Sequence, residues 1–466
     1  MSIEVRDSES VNHIESIVSK IEQLIEEHKM YDLAKLLIEI SPPDLLDVLE
    51  RLSINVRRKL ISILPLEHLA PVLVKLSDDV LYEIIVTRGV SEITRILIDI
   101  PPDDVADILQ RLPPRIRSQI LTLLPPWKAE EVVSLLRYSP ESAGGIMTPR
   151  IPIFNAKEKI SKIIEKYTAK YQLGLYDKHN YIYAIDDESK LIGWIDVRSL
   201  LVAPREKELR SIVTKPPVVV NANTDREEAA RLVVKYDLLE IPVVDDEERL
   251  LGAITIDDLL DVMVAELTED LLKFGGYAET IKCRYLGAKI IELVRKRAPW
   301  LIVLYILETA TVTVVNSFSN VIAQAAILAA FLPLLIATGG NVGAQAATLV
   351  IRSLAIGETR IRDIGKVLLK ELRTSLLLSS ILTPLGFTIA FTISHSISIA
   401  FAVSIALVLI ITIASLIGSL LPFIALSMKI DPAVVSSPFL STLCDVTGAL
   451  VYFTIANYIV QIMNYP

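Results

Sequence analysis

Asp445 stands in the middle of Pro438–Val460, a stretch otherwise apolar, small or uncharged and long enough to cross a bilayer as one helix. A carboxylate at that depth costs several kcal/mol, so it is kept where it faces a polar interior or an ion. This one residue therefore constrains the fold to a membrane bundle with a functional inner face. The plain reading is a carboxylate hydrogen-bonded to hydroxyls of a neighbouring helix. The sharper reading is a cation ligand in a pore.

The charge distribution divides the chain. From Ala298 onward the basic residues are Arg352, Arg360, Arg362, Lys366, Lys370, Arg373 and Lys429, and the acidic ones are Glu308, Glu358, Asp363, Glu371, Asp431 and Asp445. Of 47 basic and 56 acidic residues in all, 40 and 50 thus fall in residues 1–297. The front is an acidic soluble protein and the back a membrane domain. An acidic soluble half excludes nucleic acid as a partner and favours cations. Cys283 and Cys444 imply neither a disulfide framework nor a cysteine metal site. No apolar run follows Met1, so no cleavable leader is expected.

Apolar segments read at Ala298–Phe318, Val321–Ala355, Val367–Ser394, Ile397–Met428 and Pro438–Ile462. Basic residues precede the first, fill the link between the second and third, and lie between the fourth and fifth. The remaining links carry none. The chain is expected in the cell membrane with its soluble half in the cytoplasm and its C-terminus outside. Thr338-Gly339-Gly340-Asn341-Val342-Gly343-Ala344-Gln345 reads as an interruption of the second segment, and Pro333 upstream as a kink. Asn341 and Gln345, four apart, share a polar face on a continuous helix. Helix–helix packing by small residues is the other reading of this motif. In the fifth segment Ser437, Ser441 and Asp445 also repeat at spacing four. Glu308 either lines the same pathway or pairs with a base such as Arg373.

Residues 1–140 read as a helical, superhelical N-terminal domain. Pro42-Pro43-Asp44-Leu45-Leu46-Asp47-Val48-Leu49 recurs as Pro101-Pro102-Asp103-Asp104-Val105-Ala106-Asp107-Ile108-Leu109. Proline then Asp suits a helix start, and the acidic residues read mainly as a solvated face. Residues 141–265 carry two copies of an alternating β–α pattern. They resemble a tandem CBS pair, an α+β unit, on the ending Gly252, Thr255 and Asp258. CBS pairs sense nucleotides or ions. The first copy has Asp196 and Ser199 at the equivalent places, so Thr255 and Asp258 of the second copy make the better position for a nucleotide such as ATP. Residues 266–297 are expected as a connecting helix and 298–466 as a pore domain of five helices.

This layout, with Thr338-Gly339-Gly340-Asn341, Asp431-Pro432-Ala433, Asp445-Val446-Thr447-Gly448 and the junction Ser142-Ala143-Gly144-Gly145-Ile146-Met147-Thr148, resembles the MgtE family of magnesium channels over nearly the whole chain. The resemblance implies a homodimer with Mg²⁺ passing along the two-fold axis. Asp445 of both subunits would sit at the ion, and the pathway is read along Gly339, Gly340, Asn341, Gln345, Ser437 and Ser441, with Glu308 added from its place in the first apolar segment. It implies regulatory Mg²⁺ ligands at Asp225, Glu227, Asp237, Asp258, Asp261, Glu266, Glu269 and Asp270. Ser437 and Ala344 replace amides common in the family, and Glu308 is not expected of it. A proton- or Na⁺-coupled transporter of Mg²⁺, Co²⁺ or Mn²⁺ is the alternative. An enzyme is not expected, since none of the five histidines forms the His-Glu-x-x-His pattern of a membrane metalloprotease.

Overall fold

Short helices opened by proline or serine build the N-terminal part. The computed structural model describes residues 2–277, 290–324 and 326–462. They fall into two compact units that adjoin in sequence at Glu266 and Leu267. The first begins with α1 (Ser2–Glu26), α2 (Met30–Glu39), α3 (Pro42–Arg51), α4 (Ile54–Ile63), α5 (Leu66–Leu69), α6 (Asp78–Arg88), α7 (Val90–Leu97), α8 (Pro102–Gln110), α9 (Pro114–Leu123) and α10 (Pro126–Leu135). Proline in the first turn of α3, α8, α9 and α10 fixes φ where no backbone donor is needed. Each helix buries one stripe, as Leu45, Val48 and Leu49 do on α3.

Two β–α–β–β units follow. The first is β1 (Ile153–Asn155), α11 (Ile160–Gln172), β2 (Tyr181–Ile185) and β3 (Leu191–Asp196), closed by α12 (Val197–Val202). The second is β4 (Val220–Asn221), α13 (Arg226–Tyr236), β5 (Glu240–Val244) and β6 (Leu250–Thr255), closed by α14 (Ile256–Phe274). In each sheet the middle strand pairs parallel to the first and antiparallel to the third. One hydrophobic core runs from α1 into the second unit, while the first unit has its own around Ile160, Ile163 and Ile182. The units join at a buried carboxylate. Glu240 is fully buried and accepts hydrogen bonds from the Tyr183 hydroxyl at 2.8 Å and from Asn180.

The expected connecting helix is not an element of its own. Residues 266–274 are the end of α14, which runs unbroken through Glu266. The chain then turns at Gly275 and Gly276, the latter with φ +82°. Residues 278–289 lie outside the described residues, and 290–297 already belong to the next helix.

The second unit holds α15 (Ile290–Ser317), α16 (Ser319–Gln324), α17 (Ile327–Ala355), α18 (Ile364–Ser394), α19 (Ile397–Ser427) and α20 (Ser437–Ile462). All but α16 are long and apolar enough to cross a membrane. The most apolar of them, α19, packs against α17, α18 and α20, as a helix hydrophobic on every side must. The glycine motif does not interrupt α17, which stays helical from Ile327 to Ala355. Its glycines serve close packing instead. A Cβ on Gly418 of α19 would lie 2.1 Å from the Gly343 carbonyl oxygen, so α17 and α19 touch backbone to backbone. Gly418→Ala should therefore cost about 1–3 kcal/mol by overpacking. Gly365→Ala on α18, where a Cβ meets nothing within 4 Å, should be neutral or stabilise by up to about 1 kcal/mol. Thermal unfolding of the two variants in detergent checks the contrast.

Candidate functional site

The membrane carboxylate lies on α20, whose entry is tightly built. Asp431 caps the turn Pro432–Val434 through the Ala433 amide at 2.9 Å. The Trp300 indole of α15 donates to the Ser436 hydroxyl at 3.1 Å. Further along, Asp445 is half-buried and has no hydrogen bond or ion pair among the described residues. Ser437 and Ser441 lie on the same face, and neither gives its hydroxyl to a protein partner. Thr442 and Thr447, by contrast, return theirs to carbonyls of the preceding turn. Gly340 comes close to this face, since a Cβ there would meet Ser441 Oγ at 2.8 Å. Gly339 and Gly340 are buried, while Asn341 and Gln345 are exposed one turn apart. The motif thus presents small residues inward and amides outward. Glu308 is half-buried on α15, which packs against α20. No ion pair joins it to Arg373.

The carboxylates that the resemblance marks as regulatory are distributed over several elements. Asp225 caps α13, accepting from the Glu227 amide at 2.8 Å. Glu227 lies 3.8 Å from Arg231. Asp237 ends the helix in a left-handed conformation, φ 51°. On α14, Thr255 Oγ1 lies 2.7 Å from Asp258 and 2.5 Å from Asp257. Asp261 pairs with Lys75 at 3.1 Å, and Glu266 with Arg226 at 2.9 Å. Lys273 lies 2.7 Å from Glu269 and 2.6 Å from Asp431. Burial opposes its charge, but hydrogen bonds to these two carboxylates more than restore it. Asp270 is half-buried on the same helix. Among the described residues no three acidic, histidine or cysteine side chains converge closely enough to hold an ion.

The sequence reading passed over a denser acidic group. Asp103, Asp104 and Asp107 on α8 act on Asp177 and Asp258 from the β–α units. Burial first, then these neighbouring charges, push Asp103 well above the usual carboxylate range, Asp104 up to about 6 and Asp107 up to about 7. Asp103 Oδ1 is buried without a hydrogen-bond partner. The nearest buried base, Lys128, donates to the Ile100 carbonyl, and burial and then Arg150 lower it to about 8. An available signal was the second copy of the proline repeat. Matched at Asp47 and Asp107, it has Asp103 where the first has Pro43.

A third feature is an open cleft of about 960 Å³ between the two β–α units. Tyr167 stacks with Tyr171 and Tyr176 at 5.8 and 5.7 Å between ring centres, and His179 sits edge-on to all of them. Arg198, paired with Asp196 at 2.8 Å, and Lys178, paired with Asp257 at 2.8 Å, supply cations beside Thr255.

A family model described as divalent cation transporter matches residues 332–455, the MgtE intracellular N domain matches 40–141, and a CBS domain matches 209–265. The chain is 34% identical over 452 residues to a magnesium transporter, MgtE, of Thermus thermophilus, covering 96% of this chain and 99% of that one. It is 26% identical to the Bacillus subtilis magnesium transporter MgtE, covering 95% and 97%. It also resembles the solved cytosolic domain of the Mg²⁺ channel MgtE in complex with ATP, with 31% identity and a TM-score of 0.48 over 53% of this chain and 99% of that one. The chain belongs to the MgtE family of divalent cation transporters.

Proposed function

We propose that this chain passes Mg²⁺ across the cell membrane as a homodimeric channel that closes when cytoplasmic Mg²⁺ rises. The observation that carries the reading is Asp445, a half-buried carboxylate without a protein partner inside an apolar helix. Such a group calls for a cation. Mg²⁺ takes oxygen ligands and gives up water reluctantly, so a carboxylate flanked by the Ser437 and Ser441 hydroxyls suits a largely hydrated ion. Two copies about a two-fold axis would double the charge and let the exposed Asn341 and Gln345 face water. A second copy is also supported by α14, where Leu260, Val264, Leu267 and Leu271 form an exposed stripe at the spacing of a helix-pairing seam. The basic links support a cytoplasmic soluble unit and a C-terminus outside.

The second reading, proton- or Na⁺-coupled transport, is favoured by the nearness of Glu308 to Asp445. Flux into liposomes separates the readings. Channel flux follows the Mg²⁺ gradient with no imposed proton or Na⁺ gradient. Coupled flux stops without one. In either case Asp445→Asn should lower Mg²⁺ flux by about a hundredfold or more; wild-type flux in that variant would sink the assignment of the pathway.

Closure would act through the acidic group of Asp103, Asp104, Asp107, Asp177 and Asp258. Carboxyls raised by burial and mutual repulsion bind protons more tightly folded than unfolded. Their stabilisation is present at low pH and is lost as pH rises through about 6 for Asp104 and about 7 for Asp107. A dication relieves the same repulsion at neutral pH. In metal-free detergent solution the full chain should unfold at a higher temperature at pH 5.5 than at pH 7.5, by on the order of 2 kcal/mol. Mg²⁺ at pH 7.5 should recover the difference. Asp104→Asn with Asp107→Asn should remove both effects, and pH-independent unfolding of the wild type would refute the idea.

The aromatic-walled cleft suits a nucleotide such as ATP, whose base would stack on tyrosine while Arg198 and Lys178 meet its phosphates. Calorimetric ATP binding to the full chain should weaken about tenfold in Tyr171→Ala or Arg198→Ala; equal binding by both variants would place the nucleotide elsewhere.

A further inference from the structure

Glu308 has a structural setting that separates it from an incidental membrane charge. It lies on the face of α15 formed by Leu304, Glu308, Thr311 and Val315, spaced four, three and four apart. Leu304 and Thr311 are buried, at 7% and 8% exposure, so this face points into the unit. The helices are pinned in register on both sides of Glu308. Towards their N-termini Trp300 lies 6.3 Å from Phe439 between ring centres, and towards their C-termini Phe318 stacks on Phe453 at 5.7 Å. The helices therefore run in the same direction. Glu308 comes about 12 Å along its axis after Trp300, and Asp445 about 9 Å after Phe439, at 1.5 Å per residue. Both carboxylates therefore fall within about 3 Å of the same depth.

Thr311 supplies an independent observation. Its hydroxyl is buried and has no hydrogen-bond partner. Threonines in membrane helices ordinarily return this group to a carbonyl of the preceding turn. Among the described residues Thr309, Thr313, Thr338, Thr348, Thr374, Thr388, Thr392, Thr412, Thr442, Thr447 and Thr454 all do so. Thr311 and Thr383 of α18 do not, and of these two Thr311 sits one turn from Glu308 on the same inward face. A buried hydroxyl left without a partner beside two carboxylates without partners is a set of oxygen donors awaiting a cation.

We propose that Glu308 and Thr311 of α15 complete the ion position of Asp445, so that each subunit offers a divalent cation two carboxylates and a free hydroxyl. This rests on the reading of Asp445 as the pathway residue and adds the determinant of ion choice. A second fixed carboxylate raises the preference for a dication over a monovalent ion, because attraction scales with the ion's charge while the cost of crowding the two carboxylates is fixed.

The test is ion flux into liposomes bearing the full-length protein, with Mg²⁺ and with Na⁺ as the probes. Glu308→Gln should raise the Mg²⁺ concentration giving half-maximal flux by about tenfold and admit Na⁺. Thr311→Val, which keeps the shape, should raise it by about threefold. Glu308→Asp, keeping the charge, should exclude Na⁺ and lie between Glu308→Gln and the wild type. Wild-type half-maximal concentrations, within about twofold, in both Glu308→Gln and Thr311→Val would overturn the proposal. Asp445→Asn runs alongside. If it is silent while Glu308→Gln and Thr311→Val match the wild type, the pathway stands and this proposal alone fails. If Asp445→Asn conducts normally, the pathway reading fails and takes this one with it. Should Glu308→Gln not assemble, as judged by gel filtration and helical circular dichroism, Glu308→Asp and Thr311→Val carry the test on the same readouts.

Discussion

The cost of holding a carboxylate away from water without a counter-charge governs both ends of this molecule. On α20 Asp445 lies within an apolar helix and Glu308 is the charge beside it. On α8 Asp103, Asp104 and Asp107 are packed towards Asp177 and Asp258. Among the described residues no base pairs with Asp445, and at α8 the charges of Lys75, Arg111 and Arg226 offset burial and repulsion only in part. A fold that only needed stability would have paired or replaced these residues, since an unpaired buried charge is among the most costly features a protein can hold. Their persistence makes sense where the missing partner arrives from solution. Under the proposed function, one physical deficit would serve two roles, drawing the ion into the membrane helices and reporting its concentration in the soluble unit.

The remaining acidic residues show the contrast. Asp261 meets Lys75, Glu266 meets Arg226, and Glu269 with Asp431 meets Lys273. These carboxylates are already neutralised from within, so a dication reaching them must displace a tethered base. Lys75 and Asp261 are exposed enough that water weakens the pair. Lys273 is more enclosed, and its ammonium holds two carboxylates at once. At the α8 group, by contrast, the proposed cation would relieve repulsion without displacing a salt-bridged base.

The architecture was largely legible in the sequence, because hydropathy reports membrane helices and because the two β–α copies repeat their strand–helix spacing. The same reading erred where tertiary packing decides. Thr338 to Gln345 reads as a polar break, yet α17 continues, since at membrane depth unbonded backbone is costlier than glycine flexibility and α19 approaches close enough to need the missing side chains. Asp103 and its neighbours read as an ordinary acidic first turn. Only folding brings Asp177 and Asp258, distant in sequence, onto that turn. Glu308 was visible as a charge, but its depth relative to Asp445 depended on how α15 registers on α20, which the aromatic pairs Trp300–Phe439 and Phe318–Phe453 set.

The helix α14 gives the two acidic systems a common element. It begins directly after Thr255 with Asp257 and Asp258, and the charge of Asp258 bears on the α8 group. It continues without a break to Lys273, which grips Asp431 in the turn that starts α20. Gly276 follows at once, and its lack of a side chain admits Trp300, the residue that also bonds Ser436 at the head of α20. A helix is stiff along its axis over such a length. The contacts at its last turn belong to the entry of the helix that carries Asp445.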